Sequence, residues 1–235
     1  MPDSRLKNWG ARADCIVAFN INYYIRPPRF KRLAGLGGKT FNLLDVGCAN
    51  GSVMLAKRWF PSCRYYGLDI TDSYLTNEDR TQIEQFYKCD LESSDLTQVP
   101  DRHFDVIVVA HVIEHLTNSL QVLARLTKKL AAGGQIYVEF PSVNSLSLPS
   151  ARGTLNFCDD PTHIRLYDVK EVANVFLANG LKVIRGGRRR EWIRILLSPL
   201  TLPKQIKTLI TEGRLDATGL WDLMGFAEFV YARRI

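Results

Sequence analysis

At 235 residues, 46% hydrophobic and 23% charged, the chain carries enough apolar material for one core, which excludes a disordered tail or a small disulfide scaffold. No run of about 18 apolar residues is present, which argues against a membrane-spanning helix, and the polar first residues lack the apolar centre of a secretory signal. The net charge of +7 suits an anionic partner or surface, and five scattered cysteines without a C-x-x-C pair suit a reduced, cytoplasmic chain.

Residues 1–40 read as a preamble: a helix over Asp14–Tyr24 ended by Pro27-Pro28, then one or two helical turns over Arg29–Leu36. Phe41–Val46 is short, apolar and β-prone, so it reads as a buried strand. Gly47–Gly51 then turns the chain, and Ser52–Phe60 follows with helical spacing. Strand, glycine turn and helix open an α/β unit whose bare backbone N–H groups suit a polar or anionic ligand. A second strand, Tyr65–Leu68, ends at Asp69, where a carboxylate can accept both hydroxyls of a ribose. A polar helix is expected over Asp72–Gln85 with Thr71 or Asp72 as cap, then a third strand over Phe86–Leu91 that includes Asp90.

Phe104–Ala110 is nearly uniformly apolar, the pattern of a central parallel strand buried on both faces. It runs into His111-Val112-Ile113-Glu114-His115. These residues offer metal-binding groups, but the H-x-x-E-H pattern needs a helix and a further ligand, so no metal is expected. An amphipathic helix is expected over Thr117–Ala132, stopped by Gly133-Gly134, followed by a fifth strand over Gln135–Phe140. Residues 142–161 lack periodicity and read as a long functional or mobile loop. The run Asp160-x-x-His163-x-Arg165-x-Tyr167 leads into a helix over Asp168–Asn179. Leu181–Arg190 and Phe226–Arg234 are the sixth and seventh strands. Between them lies an insertion, roughly 191–224, preceded by Arg188-Arg189-Arg190, in which Trp192 opens a dense apolar run that Pro199 and Pro203 are expected to break.

LLDVGCANG and YYGLDI together resemble the first two motifs of the class I S-adenosylmethionine-dependent methyltransferases, with Ala49 in place of the usual middle glycine. FDVIVVAHVIEHL and GGQIYVEFPS resemble later motifs of the subfamily related to the ubiquinone-biosynthesis O-methyltransferases. The resemblance covers about 41–190, returns near 226 and is silent on the insertion. It implies a single Rossmann-like α/β domain over 1–235: a seven-stranded, mostly parallel sheet with an antiparallel last strand and helices on both faces. The parts are a helical preamble (1–40), a core (41–190), a helical insertion (191–224) and a last strand (225–235).

The resemblance implies S-adenosylmethionine bound by Asp45, Gly47, Cys48, Ala49, Asn50, Gly51, Asp69, Ile70, Asp90, Leu91, Ala110 and His111. Asp90 would face the adenine; a solvated loop aspartate is the alternative. His163 is the first candidate to take a proton from the acceptor and His111 the second, although His163 can equally cap or orient the following helix. Tyr23, Tyr24 and Arg26 are candidate acceptor contacts if the N-terminal helix closes the site, against a helix that only covers a sheet edge. The expected reaction is methyl transfer to a small-molecule or lipid- or glycan-linked acceptor at oxygen. The alternatives are an RNA-modifying methyltransferase, disfavoured because no nucleic-acid-binding module is recognisable, and a binding protein that keeps the fold without transfer. For 188–210 the expected partner is an anionic membrane surface, which would place a cytoplasmic protein at the membrane periphery; the alternatives are packing on the core or against a second copy of the chain.

Overall fold

The computed structural model describes residues 25–48, 51–150, 155–212 and 220–235. The expected helix Asp14–Tyr24, with Tyr23 and Tyr24, lies outside them, as do Ala49 and Asn50. The strands are β1 (Asn42–Val46), β2 (Arg64–Asp69), β3 (Ile83–Lys88), β4 (Phe104–Ala110), β5 (Leu130–Pro141), β6 (Leu181–Arg188) and β7 (Ala227–Arg234). They form one sheet in the order β3-β2-β1-β4-β5-β7-β6. β1 to β5 pair in parallel, and β7 runs antiparallel to both β5 and β6. The strand order reverses between β1 and β4, and in such sheets a crevice opens there beyond the carboxyl ends of the strands.

Neighbouring residues on the central strands point to opposite faces, and both faces are covered. Leu44, Val46, Ile107 and Val109 join one core with Leu123, Leu126 and Phe176. Leu43, Val106 and Val108 join the other with Val53, Ala56, Phe60 and Phe30. That two-sided burial explains why β1 and β4 are apolar at nearly every position. Each fully buried Leu or Val contributes roughly 1.5–3 kcal/mol.

The helices are α1 (Pro28–Arg32), α2 (Ser52–Trp59), α3 (Asn77–Gln82), α4 (Ser119–Lys129), α5 (Val169–Ala178), α6 (Trp192–Glu212) and α7 (Trp221–Met224). Three differ from the sequence expectation. α3 is shorter than Asp72–Gln85: its cap is Thr76, which exchanges bonds with Asp79 in a capping box, and Ile83 already belongs to β3. α4 stops at Lys129 because Leu130, fully buried, pairs with Phe104 and starts β5. α6 passes through both Pro199 and Pro203 instead of breaking. Pro199 has no N–H for the carbonyl of Ile195, and the Ser198 hydroxyl donates to that carbonyl instead, at 2.8 Å.

Candidate active site

The carboxyl ends of β1, β2, β3 and β4 bring most of the sequence-predicted cofactor residues to one edge of the sheet. Asp45, near the end of β1, is buried and accepts a hydrogen bond from the Tyr65 hydroxyl at 2.7 Å. Burial raises its carboxyl, against the pull of Arg29 and Tyr65. Its role is therefore to brace the turn from beneath.

Gly47 has φ 72°, and a Cβ there would lie 2.4 Å from Val112 Cγ2. A side chain at 47 thus meets the loop after β4 before it meets any ligand, and Gly47→Val is a folding variant rather than the cofactor-blocking one that the glycine motif alone suggests. Gly51 is different. It caps α2 with φ 76° and no side-chain bond, and among the described residues, its chain neighbours aside, nothing lies within 4 Å of a Cβ placed there. The helix start is therefore approachable by a ligand. Cys48 is buried and burial pushes its thiol up to about 12, so it stays protonated and packs as an apolar group.

Asp69 ends β2 with its carboxylate part-exposed, accepting only a long bond, 3.3 Å, from the Thr71 N–H. Burial at the strand end raises its carboxyl, opposed by the N–H groups of Thr71 and Ile70. Ile70 is exposed and Leu91 buried. Asp90 is exposed, and its two oxygens close its own turn by accepting from Glu92 N at 2.9 Å and Ser93 Oγ at 3.0 Å. That is the geometry of a loop aspartate, the alternative weighed for it. Arg26 donates to the Trp59 carbonyl at 3.3 Å and stacks over Trp59 and Phe60, so it fastens α2.

His111 follows Ala110 at the end of β4 with φ 55°, in a region costly for a side-chain-bearing residue. Its N–H donates to the Glu139 carbonyl at 2.9 Å. Its ring lies between two carboxylates, Nδ1 at 3.1 Å from Glu114 Oε1 and Nε2 at 3.1 Å from Glu139 Oε1. Burial alone would lower the imidazole, but these two bonds outweigh it and hold it up at about 9. His111 is thus an imidazolium near neutrality, with both nitrogens engaged. It is not placed to accept a proton.

Glu139 also accepts from the Tyr137 hydroxyl at 2.5 Å and from Arg189 Nη1 at 2.8 Å. Arg189 reaches on to Asp222 of α7, and Trp221 and Phe226 stack beside His111. Sequence reading missed this group. Its one signal was a glutamate inside the apolar strand QIYVEF, where a charge is retained only if it is paired. His163 is set by the loop after β5: its Nδ1 lies 2.7 Å from the Phe157 carbonyl, its ring stacks on Phe157, and the His115 ring lies tilted against it with centroids 4.8 Å apart. It does not stand alone at the loop mouth but sits against Glu114 and His115.

The features that fit S-adenosylmethionine are the start of α2 without a side-chain cap, the space at Gly51 and the part-exposed Asp69 carboxylate at the end of β2. Residues 18–185 match the methyltransferase-domain family. A demethylmenaquinone methyltransferase of Listeria welshimeri is 24% identical over 130 residues, 53% of this chain and 54% of that protein. A ubiquinone biosynthesis O-methyltransferase of Pseudomonas paraeruginosa is 28% identical over 110 residues, 45% of each chain. The chain thus spans about half the length of these curated relatives. A SAM-dependent methyltransferase from Archaeoglobus fulgidus shares the fold with a TM-score of 0.56 and 17% identity, over 88% of this chain and 91% of that one. The chain belongs to the methyltransferase-domain family.

Proposed function

We propose that the chain transfers a methyl group to an oxygen of a small or amphiphilic acceptor, in the crevice beyond β1 and β4. The observation that carries the reading is Asp69 at the end of β2, together with a glycine-entered helix after β1 whose start has no side-chain cap. S-adenosylmethionine supplies a methyl already activated by its sulfonium. The protein's own part is to hold cofactor and acceptor in line and to exclude water. Asp69 would take the ribose hydroxyls, Gly51 and the first turn of α2 the polar end, and Ala110 and His111 would border the methionine part. The relatives' printed names, a ubiquinone-pathway O-methyltransferase and a demethylmenaquinone methyltransferase, support an amphiphilic oxygen acceptor. Isothermal titration should give one S-adenosylmethionine per chain, and labelled methyl should pass to a quinol-type acceptor. Absence of cofactor binding would leave a binding protein that merely keeps the fold.

The partner of α6 belongs to the same reading. Leu196, Leu200, Pro203, Ile206 and Ile210 recur three or four residues apart and are all exposed, with Leu196, Leu200 and Ile210 at 70% or more. They form one apolar stripe on a 21-residue helix. At its root a cleft gathers Lys31, Arg32, Arg185 and Arg190 beside Trp192, with Glu191 pairing with Lys31 at 2.6 Å. Apolar stripe, tryptophan and cations together suit an anionic bilayer surface. No helix among the described residues is long and apolar enough to cross a membrane. The arginine triplet is not uniform, however: Arg188 and Arg190 are exposed, whereas Arg189 is buried in its pairs with Glu139 and Asp222. The test is therefore Arg188→Ser with Arg190→Ser, leaving Arg189 in place. Wild type should sediment with phosphatidylserine vesicles at low salt and the double variant should not. A protein that ignores vesicles but dimerises through α6 would make the stripe a contact between copies.

A further inference from the structure

The short 3-10 turn Ile113–His115 after β4 and the loop before α5 are tied together by backbone bonds: the Glu114 carbonyl accepts from the N–H of Ile164 at 2.9 Å and of Arg165 at 3.4 Å. This clamp sets His163 against Glu114 and His115, and one ligand atom from each of the three lies within 4.8 Å of the other two. Glu114 is 1% exposed; its Oε1 is engaged by His111, and its Oε2 has no hydrogen-bond partner. An unpaired carboxylate oxygen at that depth is costly.

The two imidazoles are oriented in the same sense. His163 Nδ1 faces the Phe157 carbonyl, which can only accept, so Nδ1 carries the proton and Nε2, 3.9 Å from Asp160 Oδ2, is the nitrogen left to face a metal. His115 Nδ1 lies 2.9 Å from Thr162 Oγ1 and 3.3 Å from the Thr162 carbonyl. The Thr162 hydroxyl donates to Asp160 Oδ1 at 2.6 Å, so His115 Nδ1 is the donor and its Nε2 is likewise left as a lone pair. Ligating histidines ordinarily donate their second nitrogen to a carbonyl or similar acceptor in this way. Glu114 is braced on its far oxygen by His111.

We propose that Glu114, His115 and His163 bind one divalent transition-metal ion, of the Mn2+ to Zn2+ range. Two imidazoles and one carboxylate match the donor preference of such ions. Around a tetrahedral ion with bonds of about 2.0–2.2 Å, ligand atoms lie about 3.5 Å apart, so the three side chains close by an ångström or so. Three protein ligands leave a coordination position open. Metal binding stands on this cluster alone. The use of the open position, to hold and acidify an acceptor oxygen, rests on the methyltransferase reading and narrows the acceptor to one that can chelate, such as a phenol with a neighbouring oxygen.

Purified full-length protein, stripped with chelator, is titrated with MnCl2 and ZnCl2, with bound metal counted by elemental analysis and Mn2+ followed by electron paramagnetic resonance. Wild type should bind one ion per chain. His115→Ala with His163→Ala, which removes both nitrogens without burying a charge, should weaken binding by about a hundredfold or more, and Thr162→Val, which disturbs only the outer bond, by about tenfold. S-adenosylmethionine affinity should be unchanged in both variants. Failure of wild type to bind either ion, or equal binding by the histidine double variant, overturns the proposal. Metal binding without S-adenosylmethionine binding would uphold the site and overturn the methyltransferase reading instead.

Discussion

Replacing Arg189 by methionine is expected to cost about 3–5 kcal/mol of folding stability, the scale for removing one partner of a buried ion pair. Arg189 is 5% exposed and lies between two buried carboxylates, 2.8 Å from Glu139 and 3.3 Å from Asp222. Methionine fills much of the volume but leaves both acids without their cation. Arg190, one residue on and exposed, is the control: Arg190→Met should change stability by no more than about 0.5 kcal/mol. Denaturant midpoints of the two variants check this. The same group sets an acid limb. Burial would raise the Glu139 carboxyl, but Arg189, His111 and Tyr137 hold it well below its ordinary 4.5. Its contribution is therefore complete above that ordinary value and is lost as pH falls beneath it. Melting temperature should drop on acidification, and Glu139→Gln should flatten the drop.

Asp69→Ala is expected to weaken S-adenosylmethionine binding by about 3 kcal/mol, roughly a hundredfold, if the ribose hydroxyls donate to this carboxylate. Charge-assisted bonds of this kind contribute about 1.5–3 kcal/mol each. Asp69→Asn, which keeps one acceptor oxygen, should fall between. Asp90→Ala is the comparison, since the Asp90 oxygens already close its own turn. It should bind within a few-fold of wild type. Titration calorimetry on the three variants reads the order directly, and wild-type affinity in Asp69→Ala would displace the cofactor from the end of β2.

The parts legible in the sequence are those whose causes are local. β4 declares itself because burial on both faces demands apolar residues throughout, and Asp69 because a strand end followed by a turn is written in consecutive residues. Gly47 was legible as a glycine but not in its reason, since the contact that forbids a side chain comes from Val112, far along the chain. The grouping of His111, Glu139, Arg189 and Asp222 was not legible. Each comes from a different element, and only the β5-β7-β6 order brings them together. His163 was seen, but its neighbours Glu114 and His115 lie some fifty residues away and meet it through the Glu114 carbonyl clamp and the bonds of His115 to Thr162. Pro199 of α6 misled because its local rule was overridden by a hydroxyl one position earlier, Ser198, that serves the abandoned carbonyl.

β6 is the outermost strand on its side of the sheet, and an open edge invites another chain to add to it. Here Lys182, Arg185 and Arg188 stand exposed along it, and the register with β7 slips between Val183 and Arg185. Repelling cations and a bulge that twists the edge away are both obstacles to edge-to-edge aggregation. The sheet is therefore closed to growth on this flank, although no element covers it by pairing. On this flank self-association of the chain has to use side chains rather than a shared ladder, and the apolar stripe of α6 is a surface that offers them.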